Sequence, residues 1–466
     1  MERVIASLWA EGTSYLSHSL WSHKETPKAE DEARRTSRAS SDGLSSQSSE
    51  ESSHGTPRRK FNKVMSWMVF GSKKILHKKE HPEDTRNKRA PQDLSHRLKR
   101  HDVVDPSAMS AVAVIGRGGY GKVMLMRSKD DSTILAVKEV SKKNLVEKPD
   151  KKVDANASTK IEHAEMENMV LQGASDHPFI TTFHGAFQNR EKLFIFMEYC
   201  AGGELFQHMQ RQGVFTEART RLYVAEITSA LEYLHGQGIM YRDLKPENIL
   251  VDQNGHLRLA DFGLSIQFDK KGDDSSMRCY SICGTPEYIA PEIILMATKK
   301  RRNKKRTYGK TVDWWALGVL TYEMLFRIPP FYNRDRKTML NKILDCDLKF
   351  PSNNSKAKPV SEAARDFIAS LLKFEEKDRL GFGNEGSSNV KAHAFFDTLS
   401  FDRVTSFDYV PEFVPDIKSD QDTVYFDETF TKEAVRPDSI SQCPFHIELT
   451  GYECLPDTFD EAFWYK

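Results

Sequence analysis

The sequence predicts an α+β fold of two unequal lobes, a small β-rich first lobe and a larger helical second lobe, with a cleft between them. Three observations carry this. Val112 to Lys138 alternates β-branched and polar residues around glycines, the period-two pattern of a hairpin of strands. Phe194-Ile195-Phe196-Met197-Glu198-Tyr199-Cys200 is a further apolar strand that runs into a connector. Beyond it a helical period dominates, as in Ala218 to His235 and Glu362 to Leu372. At 466 residues the chain exceeds one ordinary domain. It divides into a tail over 1–104, a folded region over 105–396 whose lobes meet near 198/199, and a C-terminal extension over 397–466.

Only 39% of residues are hydrophobic, low for a wholly folded chain, so polar tails dilute a globular core. Ser37 to Ser53 is serine-rich with almost no core-forming side chains and reads as disordered. Two patches of the tail differ. Val4, Ile5, Leu8, Trp9, Leu16 and Leu20 have roughly helical spacing, and Val64 to Phe70 is an apolar, aromatic stretch flanked by lysines and arginines over 58–79. A basic-flanked aromatic patch suits weak contact with an anionic membrane; packing on the folded region is the plainer alternative. The net charge of +1 gives the whole chain no preference for polyanions, and no nucleic-acid partner is expected. Its six cysteines are scattered without a CxxC pair, the usage of reduced thiols in a cytoplasmic protein. No apolar run reaches the roughly 18 residues of a membrane span, and Met1 to Ala10 does not read as a secretory signal. The basic run Lys299 to Arg306 reads as a nuclear import signal, a patch for acidic partners, or a solvated loop.

The chemistry concentrates in two segments. Tyr241-Arg242-Asp243-Leu244-Lys245-Pro246-Glu247-Asn248, followed by Asp261-Phe262-Gly263, holds what is needed to position magnesium, a γ-phosphate and an accepting hydroxyl. Asp243 is the candidate base. A carboxylate is a weak base, so orientation supplies most of its effect. Lys245 can neutralise the moving phosphoryl group, and Asn248 and Asp261 offer hard oxygen ligands to Mg2+. Gly263 is expected to allow a sharp turn beside Asp261. The second segment, Gly116-Arg117-Gly118-Gly119-Tyr120-Gly121-Lys122-Val123, is a GxGxxGxV. Here the glycines lead into another strand and not a helix, which makes them a hairpin tip whose amides can approach phosphates. Lys138, in Ala136-Val137-Lys138, can hold the α- and β-phosphates of ATP if an acid fixes it, and Glu167 is the chosen acid.

This set resembles the protein kinases. The segments Cys283-Gly284-Thr285-Pro286-Glu287-Tyr288-Ile289-Ala290-Pro291-Glu292 and Asp313 to Gly318, with Asp422 to Thr431, resemble the AGC group of serine/threonine kinases over about Pro106 to Thr431. Tyr241, where a histidine is frequent, is a subfamily trait. The resemblance implies the bilobal kinase fold and an ATP- and Mg2+-dependent transfer to Ser/Thr hydroxyls. It further implies adenine bonded by the Glu198 carbonyl and the Cys200 amide, Met197 at the back of the slot, and Val123 and Ala136 over the ring. The C-terminal tail would wrap the first lobe, adding Phe426 to the nucleotide pocket, and Glu292 would pair with Arg379.

Regulation and specificity follow from the same resemblance. Ser281 sits at the activation-loop phosphosite, with Arg242 and His163 as partners for its phosphate; Ile266 stands where a third, basic partner is frequent. Arg278 suits either phosphorylation by another copy or an upstream kinase. The family's Phe-x-x-Phe-Ser/Thr-aromatic ending is matched to Phe459 to Lys466, where Trp464 replaces the phosphosite, and Ser439 lies near the turn phosphosite. Glu204, Glu247 and Glu323 match the acids that read substrate arginines, which predicts arginine at −3 and at −2 or −5. Arg34-Arg35-Thr36-Ser37 in the tail is such a sequence. The rival readings are a kinase-like scaffold and a membrane or partner adaptor with low activity.

Overall fold

The computed structural model describes residues 104–118, 121–146, 160–268, 277–297, 306–351, 359–436 and 448–455. The N-terminal patches, Gly119 and Tyr120, the basic run up to Lys305, Ser439 and Phe459 to Lys466 lie outside the described residues.

The first lobe is a sheet of β1 (Met109–Gly118), β2 (Gly121–Ser128), β3 (Ile134–Ser141), β4 (Phe183–Gln188) and β5 (Lys192–Glu198). The expected hairpin is a three-stranded meander. These five strands pair antiparallel in the order β1-β2-β3-β5-β4. Alternation divides the side chains between two faces. Met124, Met126, Leu135, Val137, Phe194 and Phe196 make one buried core; Ile115, Leu125, Ala136 and the half-buried Val123 make the other, over the cleft. A Cβ on Gly121 would lie 1.7 Å from the Glu139 carbonyl oxygen, so only glycine permits this approach of β2 to β3. Two helices, α1 (Lys142–Val146) and α2 (Lys160–Ala174), join β3 to β4, and α2 carries Glu167.

The second lobe is helical. It comprises α3 (Leu205–Gln212), α4 (Glu217–Gly236), α5 (Pro291–Ala297), α6 (Thr311–Phe326), α7 (Arg336–Leu344) and α8 (Glu362–Leu371), followed by the short α9 (Gly386–Lys391) and α10 (Phe401–Thr405); the short α11 (Glu428–Thr431) lies in the returning tail, against β1 of the first lobe. Helix α4 starts where the Thr216 hydroxyl accepts from the Arg219 amide at 3.1 Å, and it is buried nearly all round, polar positions such as Arg219 and Glu226 included, as a central helix is. Helix α6 is the same, with Trp314 and Trp315 fully buried. Helix α8 is amphipathic: Ser361 caps it, and Ala364, Phe367, Ile368 and Leu371 form its buried stripe. Two small antiparallel pairs, β6 (Ile239–Met240) with β9 (Ile266–Gln267) and β7 (Ile249–Val251) with β8 (Leu257–Leu259), floor the cleft. Among the described residues no helix is long and apolar enough to cross a membrane.

The C-terminal extension returns over both lobes. Phe426 stacks on Tyr199 at 5.6 Å between ring centroids, and the Tyr199 hydroxyl donates to the Asp422 carbonyl at 2.6 Å. Arg117 of β1 pairs with Glu433 through its Nε at 3.0 Å, and Lys122 Nζ donates to the Arg436 carbonyl at 3.1 Å. Beyond this, β10 (Glu453–Cys454) pairs parallel with β4 and becomes the sixth strand of the sheet.

Candidate active site

The site is built where the β7–β8 hairpin sets its two ends side by side. Asn248 immediately precedes β7 and Asp261 follows β8 by two residues; the Ala260 amide closes the hairpin on the Asn248 carbonyl at 2.9 Å. Upstream, Asp313 at the start of α6 is 1% exposed and holds the loop through three donors. The amides of Tyr241 and Arg242 lie at 3.0 and 2.7 Å from its carboxylate, and His235 Nε2 at 2.8 Å. This anchor supports Arg242 at a φ of 67°, a left-handed conformation unusual for a non-glycine residue. Tyr241 is fully buried, donates to the Ala260 carbonyl at 2.5 Å and meets Phe262 edge-on at 5.3 Å. The bulk of a tyrosine here therefore ties the loop to the Asp-Phe-Gly segment.

Three donors orient the Asp243 carboxylate and leave it acceptor capacity. Lys245 Nζ and Asn248 Nδ2 donate to Oδ2 at 2.7 and 2.8 Å, and the Thr285 hydroxyl donates to Oδ1 at 3.0 Å. Thr285 also accepts from Lys245 at 3.2 Å. Burial pulls the Lys245 ammonium down, but Asp243 beside it outweighs this and holds it above its ordinary value. Across the cleft, Lys138 Nζ donates to both Glu167 oxygens at 2.6 and 2.8 Å and lies 3.4 Å from Asp261 Oδ1. Burial works against its charge, yet Asp261 and Glu167 keep it protonated well above the ordinary lysine value. Although half of the Asp261 side chain is open to solvent, surrounding protein still penalises its charge; Lys138 and Lys245 more than offset this and hold the carboxyl below its usual value.

The turn expected at Gly263 is present: Gly263 and Leu264 are its central residues, closed by the Ser265 amide on the Phe262 carbonyl at 2.9 Å. A positive φ, 52°, precedes it at Asp261. Gly263 contributes its amide, 3.3 Å from Asp261 Oδ1, and its bare Cα, since a Cβ would stand 3.3 Å from that oxygen.

In the nucleotide half, Val123, Ala136 and Phe426 share one apolar cluster with Ile115, Leu125 and Tyr199 beside the connector. Met197 packs from β5, where it pairs with Ala136. Glu198 ends β5, and its carboxylate accepts from Thr182 Oγ1 at 3.1 Å and from Arg258 at 3.4 Å, which fixes the connector that leads to Cys200. Gly116, Arg117, Gly118 and Gly121 lie on β1 and β2, with Gly118 opposite Gly121 in the pairing.

Around Ser281, Arg242 Nη1 lies 2.6 Å from the Ser281 hydroxyl, 3.0 Å from Cys279 Sγ and 3.1 Å from the Tyr308 hydroxyl. At His163, burial and then the Arg242 charge push the pKa below the ordinary histidine value, so the ring is neutral at pH 7. Arg278 is bound to Glu376 at 2.7 Å and to the Thr307 carbonyl at 2.8 Å.

The acids of the cleft form one electrostatic group. Burial and then Glu247 and Asp427 raise Glu204 to about 7, and burial with Glu247 and Glu287 raises Glu323 to about 8 although the Tyr288 hydroxyl donates to it. Burial raises Glu247 as well. Among the described residues no lysine or arginine forms an ion pair with Glu204, Glu247 or Glu323. Sequence reasoning gave no role to Thr285, Asp313 or Glu287. Thr285 and Glu287 lie in the quoted Gly-Thr-Pro-Glu segment and Asp313 opens the quoted Asp313 to Gly318 segment, which was the available signal; what each touches shows only in three dimensions. The expected Glu292–Arg379 pair is present, at 2.7 and 2.9 Å.

The described end of the tail seats on the first lobe. Leu449 and Tyr452, at 3% and 6% exposure, lie between α2 and β4 in a Leu-x-x-Tyr spacing; the aromatic end matched from sequence lies outside the described residues. Glu453 then stands in the position of the phosphorylated hydroxyl.

A glycine hairpin, a lysine fixed by a helix glutamate, and a catalytic loop facing them across one cleft are the arrangement of a protein kinase. The chain belongs to that family: the model of the protein kinase domain matches residues 109–396, and that of the protein kinase C terminal domain matches 417–458. Within it, the chain is a serine/threonine protein kinase of the AGC group, a phosphotransferase. It is 39% identical to the serine/threonine-protein kinase Sgk1 of Gallus gallus and of Homo sapiens, and 40% identical to that of Danio rerio. Each match runs over 346 residues, 74% of this chain and 73% of the relative.

Proposed function

We propose that this kinase transfers the γ-phosphoryl group of ATP to Ser/Thr hydroxyls that follow arginines in protein substrates, and that a phosphate on Ser281 raises its activity. The observation that carries the reading is the Asp243 carboxylate, oriented by Lys245, Asn248 and Thr285 and facing a Lys138–Glu167 pair already formed. Protein kinases use ATP and Mg2+, and the residues here fit both. Asn248 spends its amide nitrogen on Asp243 and so turns its oxygen away from it, and Asp261 keeps a second oxygen beyond the one facing Lys138. No cluster of three His, Cys, Asp or Glu side chains occurs among the described residues, which matches an ion that takes few protein ligands and completes its shell with phosphate and water. When bound there, Mg2+ neutralises charge on the phosphates.

The chain's own residues then divide the work. Val123, Ala136, Met197 and Phe426 bury the adenine, the Glu198 carbonyl and Cys200 amide fix its edge, Glu204 borders the ribose, and Lys138 holds the phosphates. Gly116 to Gly121, with Arg117, Gly119 and Tyr120 between the glycines, cover them. Asp243 accepts the proton of the substrate hydroxyl as that hydroxyl's oxygen attacks the γ-phosphorus and the bond from phosphorus to the departing ADP oxygen breaks. Lys245 stabilises charge on the transferring group.

The acids fit arginine forks, because their mutual repulsion is relieved by a guanidinium. A peptide array with labelled ATP is expected to show a gain from arginine at −3; no gain would sink the substrate reading. A pH dependence follows from the raised values of about 7 for Glu204 and about 8 for Glu323. Arginine binding needs the ionised carboxylates, so KM for an arginine peptide falls as pH rises from 6 to 9, while KM for a norleucine peptide changes little. A flat arginine profile would contradict this.

Arg242, placed on Ser281 Oγ, can donate to a phosphate there through charge-assisted bonds worth about 1.5–3 kcal/mol. Phosphorylation of Ser281 is therefore expected to raise kcat/KM about tenfold, and Ser281→Ala to abolish the rise. Arg278 is tied to Glu376, which favours an upstream kinase that does not read this arginine over phosphorylation by another copy.

A further inference from the structure

Arg278, three residues before Ser281, is fastened far more completely than a solvated arginine would be. Its Nη1 and Nη2 donate to the two oxygens of Glu376 at 2.7 and 3.2 Å. Nη2 also donates to the Thr307 carbonyl at 2.8 Å, and Nε donates to the Thr307 hydroxyl at 2.9 Å. The guanidinium lies across Gly309, where a Cβ would stand 2.9 Å from Nη1. Backbone bonds continue the attachment: the Cys279 amide donates to the Tyr308 carbonyl at 2.8 Å, and the Tyr308 amide donates to the Cys279 carbonyl at 3.1 Å. The fork is partly sheltered, with 31% of the Arg278 side chain and 17% of that of Glu376 exposed. A planar fork on a carboxylate fixes direction as well as place.

The position of Glu376 gives this pair its reach. Glu376 opens a single 3-10 turn, Glu376–Asp378, and Arg379 closes it, its amide donating to the Glu376 carbonyl at 3.2 Å. Arg379 holds Glu292 by a fork of its own. One turn of the second lobe therefore grips the chain at Arg278 and again at Glu292. Ser281 and Thr285 lie on the span between the two grips. Thr285 donates to Asp243 Oδ1, so the set of the span reaches the catalytic carboxylate. Arg242, 2.6 Å from Ser281 Oγ, secures the span from the catalytic-loop side, and none of the Arg278 bonds requires a phosphate.

We propose that Arg278 and Glu376 form a latch that holds this span, and through Thr285 the Asp243 carboxylate, before any phosphate is added to Ser281; Arg278 is its positioning residue. The latch and a phosphate on Ser281 are two holds on one segment, each making up for loss of the other. Only this overlap rests on the role proposed above for Ser281.

Kinetics of the full-length chain test the latch, with Ser281 either unmodified after phosphatase treatment or introduced as phosphoserine during synthesis. In the unmodified form, Arg278→Met and Glu376→Met are each expected to lower kcat for an arginine peptide about fivefold, with KM for ATP within about twofold of the parent. The double variant should lose no more than either single one, because both remove the same contact. Arg278→Glu should fall further, since two carboxylates then face each other. Adding Glu376→Arg should recover most of that loss, which damage to the fold would not allow. With phosphoserine at 281 the kcat deficit of Arg278→Met should shrink to within about twofold, and hydrogen–deuterium exchange of 278–292, raised in the unmodified variant, should return toward the parent. The latch is overturned if the unmodified single variants keep kcat within about twofold of the parent, if their losses add, or if charge reversal brings no recovery. The overlap is overturned if phosphoserine activates the parent but leaves the Arg278→Met deficit as it was. Phosphoserine that activates neither form, beside an undiminished loss on Arg278→Met, sinks the role of Ser281 and leaves the latch standing.

Discussion

Replacing Asp243 with asparagine is expected to lower kcat for peptide phosphorylation by about 10^3-fold while leaving the protein folded. The substitution is close to isosteric. The amide oxygen can keep the bonds from Lys245 at 2.7 Å and Asn248 at 2.8 Å, and the Thr285 hydroxyl can rotate to accept from the new amide nitrogen. What disappears is the proton acceptor and the negative charge that holds Lys245. Because the nucleotide contacts are elsewhere, KM for ATP should move by less than about threefold, so the loss reports the chemical step. Initial rates at saturating ATP, with thermal unfolding as the control for folding, make the measurement. Turnover within tenfold of the parent would show that Asp243 is not the base. Lys138→Met is the complementary case: it leaves Glu167 and Asp261 as opposed carboxylates in the cleft and should affect KM for ATP as well as kcat.

Arg379→Met is expected to produce the largest loss of stability. The Arg379 side chain is wholly buried, makes both bonds of a fork to Glu292, donates to the Thr311 carbonyl at 3.0 Å and to the Lys373 carbonyl, and lies over the Trp315 ring. Methionine fills much of the volume but strands the Glu292 carboxylate. Removing one partner of a buried pair costs about 3–5 kcal/mol, because the remaining charge is uncompensated. A fall of about 10 °C in the unfolding midpoint follows from that cost. Pairing Arg379→Met with Glu292→Leu should recover part of the loss, since no charge then remains buried. A midpoint within about 2 °C of the parent would contradict the assignment.

The parts of the site that could be read from sequence are those whose chemistry lies in short ordered segments. Asp243, Asn248 and Asp261 belong to one stretch, and Lys138 sits at a strand position set by the glycines before it. The pairing of Lys138 with Glu167 needed only the helix between them. The seating of Leu449 and Tyr452 was not legible because it rests mostly on backbone carbonyls and amides answered by Gln188, a residue with no motif of its own. The more aromatic Phe459 to Lys466 carried the stronger local pattern. The charge of His163 was not legible, because protonation depends on burial and on Arg242. Arg278 likewise kept its position while its availability was decided by Glu376 of the second lobe. Asp261 shows the same limit at one torsion: the turn at Gly263 was legible from the glycine, and the positive φ of Asp261 before it was not.

Asp313, buried under the catalytic loop, has a consequence for timing. Its carboxylate gathers the amides of Tyr241 and Arg242 and the ring of His235 with no nucleotide involved. The loop that presents Asp243 therefore acquires its left-handed bend when the second lobe folds. No reorganisation of that backbone has to recur with each phosphoryl transfer, so the entropy of arranging the base is settled once in the life of the molecule and not once per turnover.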